Sequence, residues 1–217
     1  MATKISVIIP TYAPKDYLWE CLGSLENQTL SKDEFEVILV LNGEREPYES
    51  LIQKKLPEYS FNSTLLYSTP NGVSRARNLG MEKAQGCHIC LLYDDDWVSD
   101  NYLEDLLSKA CDNGIVEANV KDVDEVTREE SEQHFLSRAY KNYQPEKESS
   151  RFANRSFFST AWCKLIPKEC INGQRFDTNI KRGEDSIFMY AISWKVKHVK
   201  VTAPNCIYYV RKRHNSA

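Results

Sequence analysis

The sequence predicts an α/β fold with a mostly parallel central sheet and helices on both faces. Two observations carry this. Continuous apolar, β-branched runs at Lys4 to Pro10 and Phe35 to Leu41 read as strands buried on both sides. Segments with helical spacing alternate with such runs through the first half, and repeated strand–helix–strand units give parallel pairing.

Taken in order, Lys4 to Pro10 is the first strand, and Leu18, Cys21, Leu22 and Leu25 recur at helical spacing after it. Phe35 to Leu41 is the second strand. Pro47 to Leu56 reads as a short helix, because proline suits a first turn. Thr64 to Tyr67 is a third strand, and Val73 to Ala84 a helix stopped by Gly86. Cys87 to Tyr93 is a fourth strand, followed by a helix from Asn101 to Ala110. Lys121 to Arg151 is highly charged and predicts a mobile, solvent-rich stretch with a helix over Arg128 to Tyr143. It is either a surface excursion or a gate. A helix from Asp185 to Trp194 follows, with Ile187, Ala191 and Trp194 on one face and Phe188 and Ile192 beside them. Short strands close the chain at His198 to Val201 and Cys206 to Val210.

The length, 217 residues, suits one domain over residues 1–217, in halves of 1–110 and 111–217. A formal net charge of −3 and no basic stripe argue against a nucleic-acid partner. The basic run Arg211-Lys212-Arg213-His214 is a solvated tail unless the fold returns it to the active site, where it would meet phosphate. The N-terminus enters a strand with no basic start or cleavage site, and no apolar run reaches membrane-spanning length. Seven scattered cysteines fit reduced thiols better than a disulfide framework. Cys87-His88-Ile89-Cys90 invites a zinc reading, but no second ligand pair accompanies it, so core packing is the stronger alternative.

In open parallel sheets, ligands sit outside the carboxyl ends of the strands. Thr11-Tyr12, Asn42-Gly43, Thr69 to Gly72 and Asp94-Asp95-Asp96 follow the first four strands and converge on one edge. Three adjacent aspartates are unfavourable unless something positive sits among them. A hard divalent cation with oxygen ligands removes that penalty and also binds phosphates. A solvated acidic turn is the bland alternative. Gly183-Glu184-Asp185-Ser186 opens the late helix. Its carboxylates are either caps or, in the case of Asp185, a general base.

The chain resembles family 2 glycosyltransferases with the GT-A nucleotide-sugar fold, a Rossmann-like sandwich. The resemblance lies in Ser6 to Tyr12, Cys21 to Leu25 with Gln28-Thr29, Phe35 to Val40, Asn71 to Gly80, the D-x-D at Asp94 to Asp96, Trp162 to Leu165, Phe176, Gly183 to Asp185 and Tyr208-Tyr209. It implies a metal-dependent, inverting enzyme that moves a sugar from a nucleotide diphosphate, a UDP-sugar in the expected case, to a glycan or glycolipid acceptor. Residues 1–110 would bind the nucleotide sugar and 111–217 would face the acceptor. Pro10, Thr11, Tyr12 and Asn42 would line the base and ribose pocket. Arg75, Arg77 and Asn78 would lie near the diphosphate or ribose. Asp94 and Asp95 would contact the nucleotide sugar, Asp94 and Asp96 would hold Mn or Mg, and Asp185 would be the catalytic base. Asn42 stands where the family commonly has an aspartate, and an amide can donate as well as accept. The scattered cysteines and the start without a signal-like segment point to a cytoplasmic protein, with peripheral association at the inner membrane face as a further option.

Three rivals remain. A sugar-phosphate nucleotidyltransferase would need a glycine-rich phosphate loop, which Pro10 to Pro14 does not supply. A non-catalytic nucleotide-binding module has no need of both the aspartate cluster and Asp185. A dinucleotide-binding dehydrogenase needs a G-x-G-x-x-G that is missing after the first strand.

Overall fold

The computed structural model describes residues 3–213. Its strands are β1 (Ile5–Thr11), β2 (Phe35–Asn42), β3 (Asn62–Ser68), β4 (His88–Leu91), β5 (Trp97–Val98), β6 (Gly114–Glu117), β7 (Asn119–Asp124), β8 (Glu130–Ser131), β9 (Lys164–Pro167), β10 (His198–Val201) and β11 (Ile207–Lys212). The helices are α1 (Asp16–Glu26), α2 (Tyr48–Lys55), α3 (Val73–Lys83), α4 (Tyr102–Ser108), α5 (Phe135–Lys141), α6 (Lys168–Ile171) and α7 (Glu184–Ser193).

The main sheet has seven strands in the order β10-β6-β9-β4-β1-β2-β3. All its pairings are parallel except the two made by β9. Every residue of β1 and β2 is buried, which is why both read as apolar runs, interrupted inside only by Ser6 and Glu36, where the serine hydroxyl donates to the carboxylate at 2.6 Å. Their register sets Val7 opposite Val37, while Ile8 meets Leu91 of β4. All four carboxyl ends of β1, β2, β3 and β4 therefore lie on one edge. The α/β class with a mostly parallel sheet is as the sequence predicts.

The second half departs from expectation. A second sheet, β5-β11-β7-β8, stands where a solvent-rich excursion was predicted. β7 pairs parallel with β11 and buries Val120 and Val123. The helix predicted over Arg128 to Tyr143 shrinks to α5. Its first part is a hairpin turn instead. There Asp124 Oδ1 accepts the N–H groups of Val126 and Thr127 at 2.9 and 2.8 Å, and Arg128 adopts a left-handed φ of 61°. Local turn chemistry thus overrides the helical preference of the glutamates that follow.

The late helix also turns a different face inward. Asp185, Phe188, Met189 and Ile192 are buried, with Phe188 stacked on Phe176 at a centroid distance of 4.0 Å. Ile187, Tyr190 and Trp194 are exposed. The stripe read from the sequence at Ile187 and Trp194 faces outward, because Asp185 and Met189 complete the i, i+3, i+4, i+7 set on the other side.

In the Cys87-His88-Ile89-Cys90 run, Cys90 of β4 is in the core and Cys87, just before the strand, is exposed. Among the described residues no group of three or more His, Cys, Asp or Glu side chains is placed to hold a metal ion. No helix among them is long and apolar enough to cross a membrane.

One buried ion pair joins the halves of the main sheet. Glu117 of β6 and Lys164 of β9 face each other in the ladder, both fully buried, with Nζ 3.1 Å from Oε2. Lys164 also donates to the carbonyls of Thr160 at 2.8 Å and Trp162 at 3.0 Å, and so fixes the loop before β9. Burial pushes the Glu117 carboxyl up to about 8, with Lys164 acting against it. Removing one member leaves an uncompensated buried charge. Lys164→Met is expected to lower unfolding stability by about 3–5 kcal/mol. The double change Glu117→Leu with Lys164→Met should recover most of that loss, as read from urea midpoints at a common slope.

Candidate active site

The carboxyl edge is built by backbone ends that hold one another. Asn42, at the end of β2, is buried. Its amide nitrogen donates to Thr11 O at 2.8 Å, and its Oδ1 accepts the Gly72 N–H at 3.2 Å. One side chain thus ties the ends of three adjacent segments. An aspartate could accept from Gly72 but could not donate to Thr11. Gly43, next in sequence, has φ +122°, and a Cβ there would lie 2.5 Å from the ring of Tyr12. Glycine is required both for that backbone and for the approach of the ring. Tyr12 itself remains mostly exposed at the rim.

The acidic turn follows β4. Thr11 Oγ1 donates to Asp94 Oδ2 at 2.5 Å, so β1 orients the first aspartate. Burial pushes the Asp94 carboxyl up to about 6, opposed by the Thr11 hydroxyl. Asp96 is more enclosed. It accepts the Tyr208 hydroxyl at 2.9 Å and the Arg211 N–H at 2.9 Å. Burial, then the charge of Asp95, pushes Asp96 up to about 8. Asp95 faces Arg213, 2.9 Å from its guanidinium, and its carbonyl accepts from Arg211 Nε at 2.7 Å. β11 therefore brings the basic run back to the aspartates, which is the condition under which it could meet phosphate. His214 of that run lies outside the described residues.

Asp185 sits at the N-terminus of α7, where Gly183 takes a left-handed φ of 80° to start the helix. Its Oδ1 is 2.8 Å from Arg77 Nη1, and its Oδ2 accepts from the Tyr93 hydroxyl at 3.2 Å and from the Ala161 N–H at 3.4 Å. Arg77, on α3, is 2% exposed. It also reaches Glu184 at 2.9 Å and donates to the Tyr93 hydroxyl at 2.7 Å. Burial works against the Arg77 charge, but Tyr93, Asp185 and Glu184 together hold its pKa above the usual guanidinium value. Tyr93 is the residue before Asp94, and its own N–H donates to the Tyr208 hydroxyl at 3.1 Å. The acidic turn and Asp185 are thereby joined through two tyrosines: Asp96–Tyr208–Tyr93–Asp185.

The sequence-derived candidates divide accordingly. Pro10, Thr11, Tyr12, Asp94, Asp95 and Asp96 gather at the carboxyl edge, and Asp185 meets them through Tyr93. Arg77 is engaged with Glu184 and Asp185. Asn78 clips the backbone of Phe176 with two bonds of 2.9 Å. Arg75 is exposed and lines a separate shallow cleft with Tyr67, Thr69 and Arg175. Asn42 uses both polar atoms on backbone. Arg77, Asn78 and Asn42 thus spend their polar groups on partners within the protein, and Arg75 stays exposed in that cleft. Sequence reasoning missed Tyr93, Glu184 and Tyr208 as site residues and Arg211 as a partner of the aspartates. The bond between Tyr93 and Asp185 spans 92 positions, which no local pattern encodes.

A seven-stranded, mostly parallel sheet carrying an acidic turn at its centre, with an acidic helix start across the edge, is the architecture of the GT-A fold. The glycosyl transferase family 2 profile matches residues 6–170, and the chain belongs to that family. It is 29% identical over 223 residues to the Minor teichoic acid biosynthesis protein GgaB of Bacillus subtilis, covering 98% of this chain and 23% of that protein. It is 26% identical to the Poly(ribitol-phosphate) beta-glucosyltransferase of Bacillus spizizenii, covering 97% of this chain and 32% of that protein. The chain thus spans a quarter to a third of the length of these relatives. Among solved structures, S. aureus TarS 1-349 in complex with UDP-GlcNAc superposes with a TM-score of 0.78 at 22% identity, over 99% of this chain and 60% of that one. The mannosyltransferase PcManGT of Pyrobaculum calidifontis, in complex with GDP-Man and Mn2+, gives 0.70 at 14% identity, over 100% and 59%.

Removing the Tyr93 hydroxyl takes a hydrogen-bond partner from both Arg77 and Asp185 in a buried setting. Tyr93→Phe is expected to cost about 1–3 kcal/mol in thermal or urea unfolding, the price of leaving buried polar groups unsatisfied. Asn42→Asp should destabilise by a similar amount, about 1–3 kcal/mol, because the carboxylate cannot donate to Thr11 O.

Proposed function

We propose that the chain transfers a sugar from a nucleotide diphosphate sugar, a UDP-sugar in the first instance, to an acceptor hydroxyl, with inversion at the anomeric carbon. The observation that carries this reading is the meeting of Asp96 and Asp185 through Tyr208 and Tyr93 at one edge of the sheet. Residues 1–110 form the donor half and residues 111–217 the acceptor half. The reading extends to polysaccharide or glycolipid synthesis at the cytoplasmic face of the membrane; a teichoic acid biosynthesis protein and a poly(ribitol-phosphate) glucosyltransferase among the relatives support the polysaccharide part.

Asp185 is the general base. Arg77 supplies its counter-charge on Oδ1 and fixes its rotamer. Oδ2, with the two longer bonds, is the atom that takes the acceptor proton. A sugar hydroxyl is a weak nucleophile, and a positioned base removes its proton as it attacks. Attack opposite the departing diphosphate inverts the configuration with a single carboxylate. Glycoside hydrolases, inverting and retaining alike, use two carboxyl groups because an acid must also protonate the leaving oxygen. Thr11 holds Asp94, and β11 holds Asp96, so the acidic turn is preset before substrate arrives.

The donor set suits a hard divalent cation. Asp94 and Asp96 offer oxygens only, and burial opposes their negative charge, which a cation would relieve. Magnesium and manganese usually take one or two protein carboxylates and complete their shell with phosphate and water, so a three-ligand protein cage is not needed. Asp94 and Asp96 would hold the ion, and it would stabilise the charge developing on the leaving diphosphate. Arg213 beside Asp95 offers a second positive group for that diphosphate. Pro10, Thr11 and Tyr12 border the base and ribose. Exposed Arg75 remains available to a phosphate, whereas Arg77 acts through Asp185.

Asp185→Asn is expected to lower the transfer rate by about 100-fold or more, as loss of a general base does. The thermal shift given by the UDP-sugar should be kept, since binding to the folded state alone raises the midpoint. Chelation with EDTA should stop transfer, and added manganese should restore it. Release of pyrophosphate in place of nucleoside diphosphate would point to a nucleotidyltransferase and end this reading.

A further inference from the structure

The residues on either side of the acidic turn are both aromatic, and both are anchored. Tyr93, before it, is bonded to Arg77, Asp185 and Tyr208. Trp97, after it, is half-buried and opens β5. Its ring stacks on Tyr209 of β11 at a centroid distance of 5.3 Å and an interplanar angle of 11°. Two guanidinium groups lie against the same ring, Arg128 at 4.6 Å and Arg211 at 4.8 Å from its centroid. Like charges gathered at one ring repel unless an acid stands between them. That acid is Glu20 of α1, whose Oε1 meets Arg128 Nη2 and whose Oε2 meets Arg211 Nη2.

Arg211 is the member of this group that reaches the acidic turn. Its side chain is 6% exposed. Nε donates to Asp95 O at 2.7 Å, and the backbone N–H donates to Asp96 Oδ1 at 2.9 Å. One residue thus grips the turn at two successive positions. The grip carries a positive charge to the place where a divalent cation would settle, and that charge competes with the cation for the carboxylates. Glu20 cancels it. Burial works against the Glu20 charge, but bonds from Arg128 and Arg211 outweigh burial and hold its pKa below the usual glutamate value. The two bonds span 108 and 191 positions, so nothing local marks Glu20 in the sequence. Its own helix does not need it for packing: α1 buries Leu18, Cys21, Leu22 and Leu25, whereas Glu20 lines an open groove of about 640 Å³ with Trp97 and Arg128.

We propose that Glu20 is a positioning residue for the acidic turn. It fixes the Arg211 fork against Asp95 O and cancels the charge that the fork brings, so that Asp94 and Asp96 can take a divalent cation. The proposal rests on the cation reading given above and adds to it a residue of α1 that acts through Arg211. Groups that orient metal-ligating residues from behind change metal affinity by about 10–100-fold when they are lost.

The test is manganese binding to the whole chain, read as free Mn2+ by electron paramagnetic resonance, with and without UDP. Glu20→Gln keeps the shape of the side chain and removes its charge, and should weaken manganese binding about tenfold or more. Glu20→Asp restores the charge and should recover part of the loss. Adding Glu20→Gln to Arg211→Met should change affinity little, because residues that act through one another are not additive. Glu132→Gln, which breaks an exposed pair with Lys141, should leave manganese binding unchanged. A role in stability alone would lower the unfolding midpoint of Glu20→Gln and leave the manganese affinity of the folded protein as it was, and that result overturns the proposal. A full further loss when Glu20→Gln is added to Arg211→Met overturns it as well. An unaltered chain that binds no manganese in either condition defeats the cation reading together with this one, whereas manganese binding that is indifferent to Glu20→Gln defeats this one alone.

Discussion

A buried guanidinium holds this molecule's site together. Arg77 comes from the helix that follows β3, yet its partners, Glu184 and Asp185, open a helix more than a hundred positions later. Such a charge is tolerable at 2% exposure only because two carboxylates and the Tyr93 hydroxyl surround it. The need for that compensation fixes the start of α7 against the donor half. It also fixes the distance between the base and the acidic turn, since Tyr93 is both a partner of Asp185 and the neighbour of Asp94. The stacked Phe176–Phe188 pair and the Asn78 clip on Phe176 brace the same junction from the apolar side.

The parts of the fold legible in the sequence are those with one dominant physical signal. β1 and β2 are buried on both faces and read as largely apolar runs; α3 is bounded by Gly72 before it and by Gly86 shortly after it. The parts that were not legible depend on partners distant in sequence. β9 enters the main sheet antiparallel between β4 and β6, and nothing local distinguishes it from a parallel strand. β7 looks like a charged surface segment until β11 pairs with it. The acidic triplet and Asp185 stood out because carboxylates at a strand end or helix start are chemically conspicuous. Arg77 and Asn42 were read for the nucleotide because of residue type and position. Their burial, which the sequence does not state, turns both toward the protein's own backbone and carboxylates.

Two devices divide the labour in the second half. Lys164 and Glu117 pin the loop before β9 from inside the sheet, and that loop supplies the Ala161 N–H to Asp185. The second sheet performs the matching task for the acidic turn, with Tyr208 and the Arg211 backbone both bonded to Asp96. Base and acidic turn thus each receive hydrogen bonds from outside the parallel core, in addition to those from Tyr93 to Asp185 and from Thr11 to Asp94. The core itself is then free to do what apolar strands do well, which is to set the edge on which the chemistry stands.

The bond from the Arg211 backbone to Asp96 spans 115 positions, and that from Tyr208 spans 112. Contacts so far apart along the chain each close a long loop, whose entropy must be overcome before they contribute. Tyr208 is at the same time part of the apolar core, so the strand that completes the core also completes the acidic turn. The reactive centre thus shares the stability of the whole fold, and a change that loosens β11 reaches Asp96 directly.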